Sequence, residues 1–280
     1  MDIEKAIFNR ARLLMGDEAM DILADKRVII FGVGGVGSWL AEALIRTGIR
    51  HLTIVDSDRV CITNINRQLM ATTRSIGMIK VEALKERLLD INPKAEIDAR
   101  QEIFCAESAY TFHLDEYDCI VDCIDSLKDK TLLIEQATRT SAKFYSSMGA
   151  ALKIDPTRVK VAEFWKVNGC PLARTLRKKF KRAKIFPAKK FLCVYSDEVL
   201  PNRGENASCG TSQCMCPKSE VKSGSKSETK ETGRQDLANH EWCSSKAQIN
   251  GSLMHITAIF GLTLAGLILK DFISQIYQDK

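Results

Sequence analysis

The sequence lacks several features that would place it in a common class of protein. None of its ten cysteines forms a C-x-x-C pair, a typical spacing of structural zinc sites. The N-terminus carries Asp2, Glu4 and Lys5 and offers no apolar run that would begin a secretory signal. The longest apolar stretch, residues 256–269, is too short to cross a bilayer comfortably. We therefore expect reduced cysteines, a cytoplasmic protein and an apolar core or dimer-interface helix, with membrane association as the less favoured interpretation.

Acidic residues are also absent from one long segment. Between Glu163 and Asp197 the chain carries ten Lys or Arg residues and no Asp or Glu, although its formal net charge is only +6. Such a run is usually a solvated face, but it also fits a surface that binds a polyanion, because phosphate contacts are made largely by Lys and Arg. Charge alone does not distinguish RNA, DNA and anionic lipid. The basic segment 166–190 is a candidate polyanion-binding surface.

Apolar runs and helical patterns alternate through the first half of the chain. After a helical lead-in, the pattern predicts strands at 27–31, 51–55, 96–100, 119–122 and 144–147, of which 27–31 and 119–122 read as buried. Helices are predicted between them, at 39–45, 79–90 and 129–140. This alternation is typical of a doubly wound, mostly parallel α/β sheet.

The pattern changes after Pro156. It predicts a strand at 158–164, a basic helix at 171–184 and a strand at 191–195. Residues 201–246 are poor in aliphatic side chains, which is typical of a flexible insertion, and an apolar helix follows at 253–277. We therefore predict a first domain over residues 1–155 and a smaller C-terminal α+β lobe over residues 156–280.

A glycine cluster lies between the first strand and the first helix of the sheet. Gly32, Gly34 and Gly37 form a G-x-G-x-x-G pattern that includes Gly35, and Asp56 ends the next strand. Such glycines let backbone approach a phosphate at a helix N-terminus, and an acid at this position binds ribose hydroxyls. The pattern predicts a Rossmann-like nucleotide site, for which an NAD-dependent oxidoreductase is one alternative.

Polar residues after this motif favour ATP over a dinucleotide. ATP chemistry requires cations that neutralise the triphosphate and a carboxylate that holds Mg²⁺, whereas hydride transfer does not. Candidates for these roles follow the glycine motif in the order Asp58, Asn64, Arg67, Gln68, Lys80 and Asp125.

Taken jointly, these residues resemble the adenylation domain of ubiquitin-activating-type enzymes. The resemblance implies that Gly35 lies against the nucleotide, that Asp56 binds the ribose and that Asp125 coordinates Mg²⁺. It further implies that Asn64, Arg67 and Lys80 grip the phosphates. Arg10 resembles an N-terminal arginine that reaches the partner's ATP in dimers of that family, so we expect a homodimer.

Motifs further along resemble one branch of this superfamily, the tRNA threonylcarbamoyladenosine dehydratases. They are residues 146–151, residues 155–158, the basic segment after Pro171 and residues 259–261. The resemblance implies ATP-dependent adenylation of a threonyl carboxylate beside the tRNA anticodon, followed by ring closure. In that interpretation the basic segment holds tRNA, and a sulfur-transfer protein is a further possible partner.

Two other functions remain open from the sequence. One is an adenylyltransferase for the C-terminus of a small sulfur-carrier protein, although such enzymes usually hold zinc in two C-x-x-C pairs. The other is a tRNA-binding protein without catalysis. The residues Cys209, Cys214, Cys216, Cys243 and His240 form a weak candidate for a zinc site, because their spacing is not a standard zinc pattern.

Overall fold

The computed structural model describes residues 3–204 and 250–278. Its seven strands form one sheet in the order β3-β2-β1-β4-β5-β7-β6. All neighbouring strands are parallel except β6 and β7. The strands are β1 (Arg27–Phe31), β2 (His51–Val55), β3 (Glu96–Arg100), β4 (Cys119–Asp122), β5 (Lys143–Ser147), β6 (Val159–Glu163) and β7 (Leu192–Ser196). The expected mostly parallel α/β sheet is confirmed.

Helices cover both faces of this sheet. They are α1 (Ile3–Ile7), α2 (Asn9–Met15), α3 (Asp17–Asp25), α4 (Gly37–Arg46), α5 (Lys80–Ile91), α6 (Leu127–Ala137), α7 (Pro171–Ala183) and α8 (Met254–Gln278). One core joins α4, α5 and α8 to the sheet through residues such as Leu44, Leu84 and Phe260. The other joins α6 and α7 to the opposite face through Leu133 and Phe180. Because β1 lies between two apolar layers, its residues Val28 to Phe31 are all buried, as a doubly wound sheet requires.

The segment after residue 155 contributes to the same sheet as the first half of the chain. Strand β7 pairs with β5 in parallel, and β6 closes the edge by pairing with β7 in the opposite direction. The predicted division of the chain at residue 155 stays a prediction. The segment 201–204 has no regular secondary structure, and the rest of the predicted insertion, with its four cysteines and His240, lies outside the described residues.

The N-terminal lead-in is three short helices rather than one. The chain turns at Gly16, whose φ of 84° lies in the left-handed region that favours glycine. Helix α3 packs Leu23 into the core, but α2 buries none of its residues. Leu13 and Leu14 are therefore 79% and 83% exposed. This end of the molecule presents an apolar surface next to α8.

Helix α8 packs lengthwise against α4, directly behind the glycine motif. The contact is close because a Cβ on Gly261 would lie 2.5 Å from the carbonyl oxygen of Val36 and 2.9 Å from the amide nitrogen of Leu40. By length and composition, Met254–Ser274 also passes the test for a membrane span, but 44% of its apolar window is buried in the protein. A buried core helix passes the same test, so we interpret α8 as part of the core.

Substituting Gly261 with alanine is expected to destabilise the protein by about 2 kcal/mol, because the added methyl group overpacks the α4–α8 contact. The matched control is Gly266→Ala on the same helix, where a Cβ meets nothing within 4 Å. That substitution is expected to stabilise α8 by about 0.5–1 kcal/mol. Urea unfolding of both variants measures the difference, and equal shifts would contradict the packing described here.

Candidate nucleotide-binding pocket

The glycine motif forms a tight turn between β1 and α4. Gly32 has a φ of +87°, and a Cβ at this position would lie 2.8 Å from the carbonyl oxygen of Cys123. A Cβ on Gly37 would overlap the carbonyl oxygen of Gly32, far inside van der Waals contact. These two glycines are therefore required by the turn itself. Gly34 and Gly35 lie on the turn between them, and the amide groups at the N-terminus of α4 are next to the loop, where they favour an anion.

Asp56 fastens this loop to the end of β2. One carboxylate oxygen accepts a hydrogen bond from the Val33 amide at 2.9 Å, and the other accepts one from the Asp58 amide at 2.9 Å. The acid predicted to hold a ribose thus lies against the glycine loop. Each carboxylate oxygen keeps a further lone pair with which to accept a hydrogen bond from a ligand hydroxyl.

Lys80, the first residue of α5, brings a cation to the same place. Its Nζ lies 2.7 Å from Oδ2 of Asp58 and 3.7 Å from Oδ1 of Asp56, and the residue is 5% exposed. Burial lowers the pKa of Lys80, but the charges of Asp56, Asp58 and Asp125 raise it, and the net pKa is raised. Lys80 therefore stays protonated at neutral pH. Asp125 is close enough to act on this lysine electrostatically.

The turn 62–64 and the residues after it lie beside the glycine loop and α4. The Asn64 side chain accepts a hydrogen bond from the Cys61 amide at 3.0 Å, which fixes the turn. Gln68 is buried, and its Nε2 lies 3.7 Å from where a Cβ on Gly34 would be. The carbonyl of Arg67 accepts a hydrogen bond from Nε1 of Trp39 at 3.1 Å, which ties this segment to α4.

The Arg67 side chain is held close to its own turn. Its Nη1 donates to the carbonyl of Thr63 at 2.8 Å and to Oδ1 of Asn66 at 2.9 Å. Arg10 lies elsewhere, exposed on α2, and no hydrogen bond or ion pair among residues 3–204 and 250–278 joins it to the pocket. Within one chain the structure therefore groups the glycine loop, Asp56, Asp58, Gln68, Lys80 and Asp125, but not Arg10.

Asp125 lies in the loop between β4 and α6, which is braced by a buried ion pair that sequence reasoning missed. Nζ of Lys130 lies 2.7 Å from Oδ2 of Asp122, and both side chains are fully buried. The same Nζ donates to the carbonyl of Ile124 at 3.0 Å, and Ser146 on β5 donates to Oδ2 of Asp122 at 2.6 Å. Lys130 thus connects the strand end, the loop backbone and α6. In the sequence, the one indication that Lys130 is buried is its spacing of three and four residues from Leu133 and Ile134, which places it on the apolar face of α6.

Substituting Lys130 with methionine is expected to cost about 3–5 kcal/mol, because it leaves the Asp122 charge buried without its partner. The double variant Lys130→Met, Asp122→Leu removes both charges and is expected to recover most of that stability. If the ion pair positions Asp125, the double variant will still turn over slowly while binding ATP normally. Urea unfolding measures the stability of both variants, and titration with ATP measures their binding. A wild-type kcat in the stable double variant would contradict a positioning role for the ion pair.

Two cysteines of the described residues, Cys119 and Cys193, are not candidates for nucleophilic chemistry. All six described cysteines carry free thiols, and Cys119 and Cys193 are fully buried. Burial raises the pKa of both thiols, so they stay protonated and unreactive. The groups that the pocket offers for chemistry are its carboxylates, its cations and its backbone amides.

Known proteins match this architecture over nearly the whole chain. The ThiF family matches residues 8–278. The tRNA threonylcarbamoyladenosine dehydratase of Bacillus subtilis is 38% identical over 191 residues, which cover 68% of this chain and 74% of that protein. The Escherichia coli dehydratase is 35% identical over 198 residues, which cover 69% and 74% of the two proteins.

The solved structures agree. The crystal structure of the E. coli dehydratase in complex with ATP matches with a TM-score of 0.78 and 27% identity, covering 100% of this chain and 99% of that chain. Fold, pocket and sequence similarity therefore lead to the same conclusion. The chain belongs to the ThiF family and, within it, to the tRNA threonylcarbamoyladenosine dehydratases.

Proposed function

We propose that this protein uses ATP to dehydrate the threonylcarbamoyl group of a modified adenosine next to the tRNA anticodon. The observation that carries the proposal is the site itself, where the glycine loop and Asp56 lie beside the cation Lys80, on which the carboxylate Asp125 acts electrostatically. Membership of the dehydratase family supports the choice of substrate.

The reaction has two steps, adenylation of the carboxylate and ring closure. The threonyl carboxylate attacks the α-phosphorus of ATP, an acyl adenylate forms and pyrophosphate leaves. A nitrogen of the same modification then attacks the acyl carbon, the ring closes, AMP carries away the carboxylate oxygen and the nitrogen loses its proton. Because the second attack is intramolecular, it avoids the entropy cost of bringing two separate molecules together.

The pocket residues fit these steps. The glycine loop and the amides at the start of α4 face the phosphates, Asp56 accepts from the ribose, and Lys80 and Arg67 neutralise charge on the phosphates as pyrophosphate leaves. For Arg67 this requires its guanidinium to leave the carbonyl of Thr63 when ATP binds. Asp58 orients Lys80 through their 2.7 Å ion pair.

A magnesium ion fits this donor set. Mg²⁺ is usually bound by one or two carboxylates together with substrate phosphates and waters, rather than by an all-protein cage. Asp125 supplies such a carboxylate beside Lys80, and the described residues contain no group of three or more acids, histidines or cysteines that would form a cage. The ion would neutralise phosphate charge when bound, and Asp125 would hold it.

The basic face of α7 supports tRNA as the substrate. Arg174, Lys178 and Arg182 are exposed at helical spacings of four residues, so they form one row on the helix. Phosphate contacts of this kind position a nucleic acid without reading its sequence.

A homodimer completes the proposal. Arg10 lies on the same exposed helix as Leu13 and Leu14, so a second copy packed on this apolar surface would be next to Arg10, and we propose that Arg10 reaches the ATP of that copy. Mixing Arg10→Ala with Asp125→Ala subunits tests this, because mixed dimers would regain one intact site. A cytoplasmic location and a sulfur-transfer partner stay predictions.

One assay tests the function. Incubation with ATP and threonylcarbamoylated tRNA is expected to yield AMP, pyrophosphate and a nucleoside lighter by one water. ATP consumption only with a small carrier protein ending in Gly-Gly would indicate the adenylyltransferase alternative. Binding of tRNA without any ATP consumption would indicate the non-catalytic alternative.

A further inference from the structure

Two large aromatic side chains are exposed together at one end of α7. Trp165 is 37% exposed and Phe186 is 55% exposed, and their ring centroids lie 6.0 Å apart with an interplanar angle of 44°. Most large aromatic residues of the described chain are buried, and a pair that is not buried commonly marks a contact surface. We call Trp165 and Phe186 the aromatic pair.

The backbone that carries Trp165 is fixed in place. Phe164 is fully buried and packs edge-on against Trp165 with ring centroids 5.2 Å apart. Nη1 of Arg177 donates to the carbonyl of Phe164 at 3.0 Å and to that of Val167 at 2.7 Å. One of the ten basic residues of the segment therefore has a structural task, which is to hold the turn that exposes Trp165.

The backbone next to Phe186 is held in a similar way. The Ala188 amide donates to Oγ1 of Thr138 at 3.0 Å, and Nζ of Lys189 donates to the carbonyl of Thr140 at 2.7 Å. Both rings are thus presented by ordered backbone, and binding a ligand to them would cost little ordering entropy.

The segment that carries this pair is strongly basic. Arg177 and Lys189 bond to backbone, but seven other basic residues of the segment are exposed, and no ion pair within residues 3–204 and 250–278 neutralises them. They are Lys166, Arg174, Lys178, Lys181, Arg182, Lys184 and Lys190. A partner that contacts the aromatic pair therefore meets a strongly cationic surface and must carry negative charge.

The sheet register places the pair relative to the pocket. Trp165 follows the end of β6, which pairs with the beginning of β7, so the pair lies at the amino ends of the parallel strands. Helix α7 begins at the other edge, where Leu172 Cβ lies 3.8 Å from a Cβ position on Gly149, just after β5. At about 1.5 Å per residue, the helix spans roughly 20 Å from the pocket edge to the aromatic pair.

We propose that the aromatic pair and the basic row of α7 together bind the tRNA substrate, with unpaired bases stacked on both Trp165 and Phe186 and phosphates along the helix. Exposed aromatic rings beside cations are the combination that single-stranded RNA requires, because every base has a π face and every linkage has a charge. An uncharged protein or lipid partner would leave the seven cations without a role. The inference deepens the proposed function and rests on tRNA being the substrate.

The test measures binding of a fluorescent tRNA anticodon stem–loop by the full chain at several salt concentrations. Trp165→Leu and Phe186→Leu are each expected to weaken binding about tenfold without changing the salt slope, because stacking is not ionic. Lys178→Ala is expected to reduce the salt slope instead. Trp165→Phe keeps a stacking ring and should bind almost as tightly as wild type. That result would show that the weaker binding of Trp165→Leu comes from the lost ring and not from a folding defect.

Tyr110→Ala is the matched control, because Tyr110 is a 78% exposed aromatic residue outside the basic segment. The wild-type protein should also prefer the stem–loop to a fully paired duplex of equal charge. Leucine variants that bind like Tyr110→Ala, or equal affinity for loop and duplex, would overturn the proposal. If those variants still dehydrate tRNA with unchanged KM, the proposed function stands and only this surface is wrong. A wild-type protein that neither binds nor converts tRNA would refute the proposed function itself.

Discussion

Replacing Asp125 with alanine is expected to lower the rate of tRNA-dependent pyrophosphate release by at least about a thousandfold. In the proposed reaction this carboxylate would hold Mg²⁺, and it lies close enough to Lys80 to raise the pKa of that lysine. Without this carboxylate, the protein would lack the side chain that we propose holds Mg²⁺, and the leaving pyrophosphate would be stabilised less. The protein should remain folded, because Asp125 is an exposed loop residue.

The measurement combines pyrophosphate release with a titration of Mg²⁺. Asp125→Ala should need much more Mg²⁺ than wild type, and Asp125→Asn should fall between the two, since an amide oxygen is a weaker ligand. Asp115→Asn is the control, because it neutralises an exposed acid away from the pocket. Retention of more than a tenth of wild-type activity in Asp125→Ala would contradict the role assigned here.

The second large effect is expected from Gly37→Ala, which should leave little folded protein. The added methyl group overlaps the carbonyl oxygen of Gly32, and that backbone is itself packed against Cys123. Gly32 follows β1 and Cys123 follows β4, and neither can move without separating these two strands. We therefore expect the free energy of unfolding to fall by more than about 5 kcal/mol. Most natural domains have only about 5–15 kcal/mol to lose.

Gly34→Ala is the matched control within the same motif. A Cβ at Gly34 would meet only Nε2 of Gln68, at an ordinary contact distance of 3.7 Å. This variant should unfold at nearly the wild-type urea concentration, while any change in ATP affinity reports how closely the nucleotide approaches the loop. Circular dichroism and urea unfolding separate the two cases. A stable, folded Gly37→Ala protein would show that the turn is looser than described.

Local pattern predicted most of the fold. The strands β1 to β4 have the expected limits, and β5 and β7 differ by one residue. For β1 and β4 the reason is that a strand buried between two layers reads as an almost uninterrupted apolar run. The meeting of Asp56 with the glycine loop was also predictable, since the carboxyl ends of parallel strands lie at one edge of the sheet.

Tertiary contacts explain what the sequence did not reveal. Lys130 lies in a stretch of α6 with Lys128 and Asp129, so it resembles a surface lysine, and only the fold brings it to the buried Asp122. Leu13 and Leu14 look like core residues, but helix α2, which the turn at Gly16 separates from α3, buries none of its residues. The Trp165–Phe186 contact joins residues on either side of α7 and is not visible in local spacing.

The contact between α8 and the glycine loop has a consequence for how the protein matures on the ribosome. Thr257, in the first turn of α8, would lie 3.1 Å from a Cβ on Gly35, and Gly261 lies against the beginning of α4. The first strands can form early, since domains generally fold as they are synthesised, but the loop gains its supporting wall only when the final helix is made. A chain cut short before α8 would leave one face of α4 exposed to water. We expect such a truncated chain to be degraded by proteases, and not to persist as an enzyme of reduced activity.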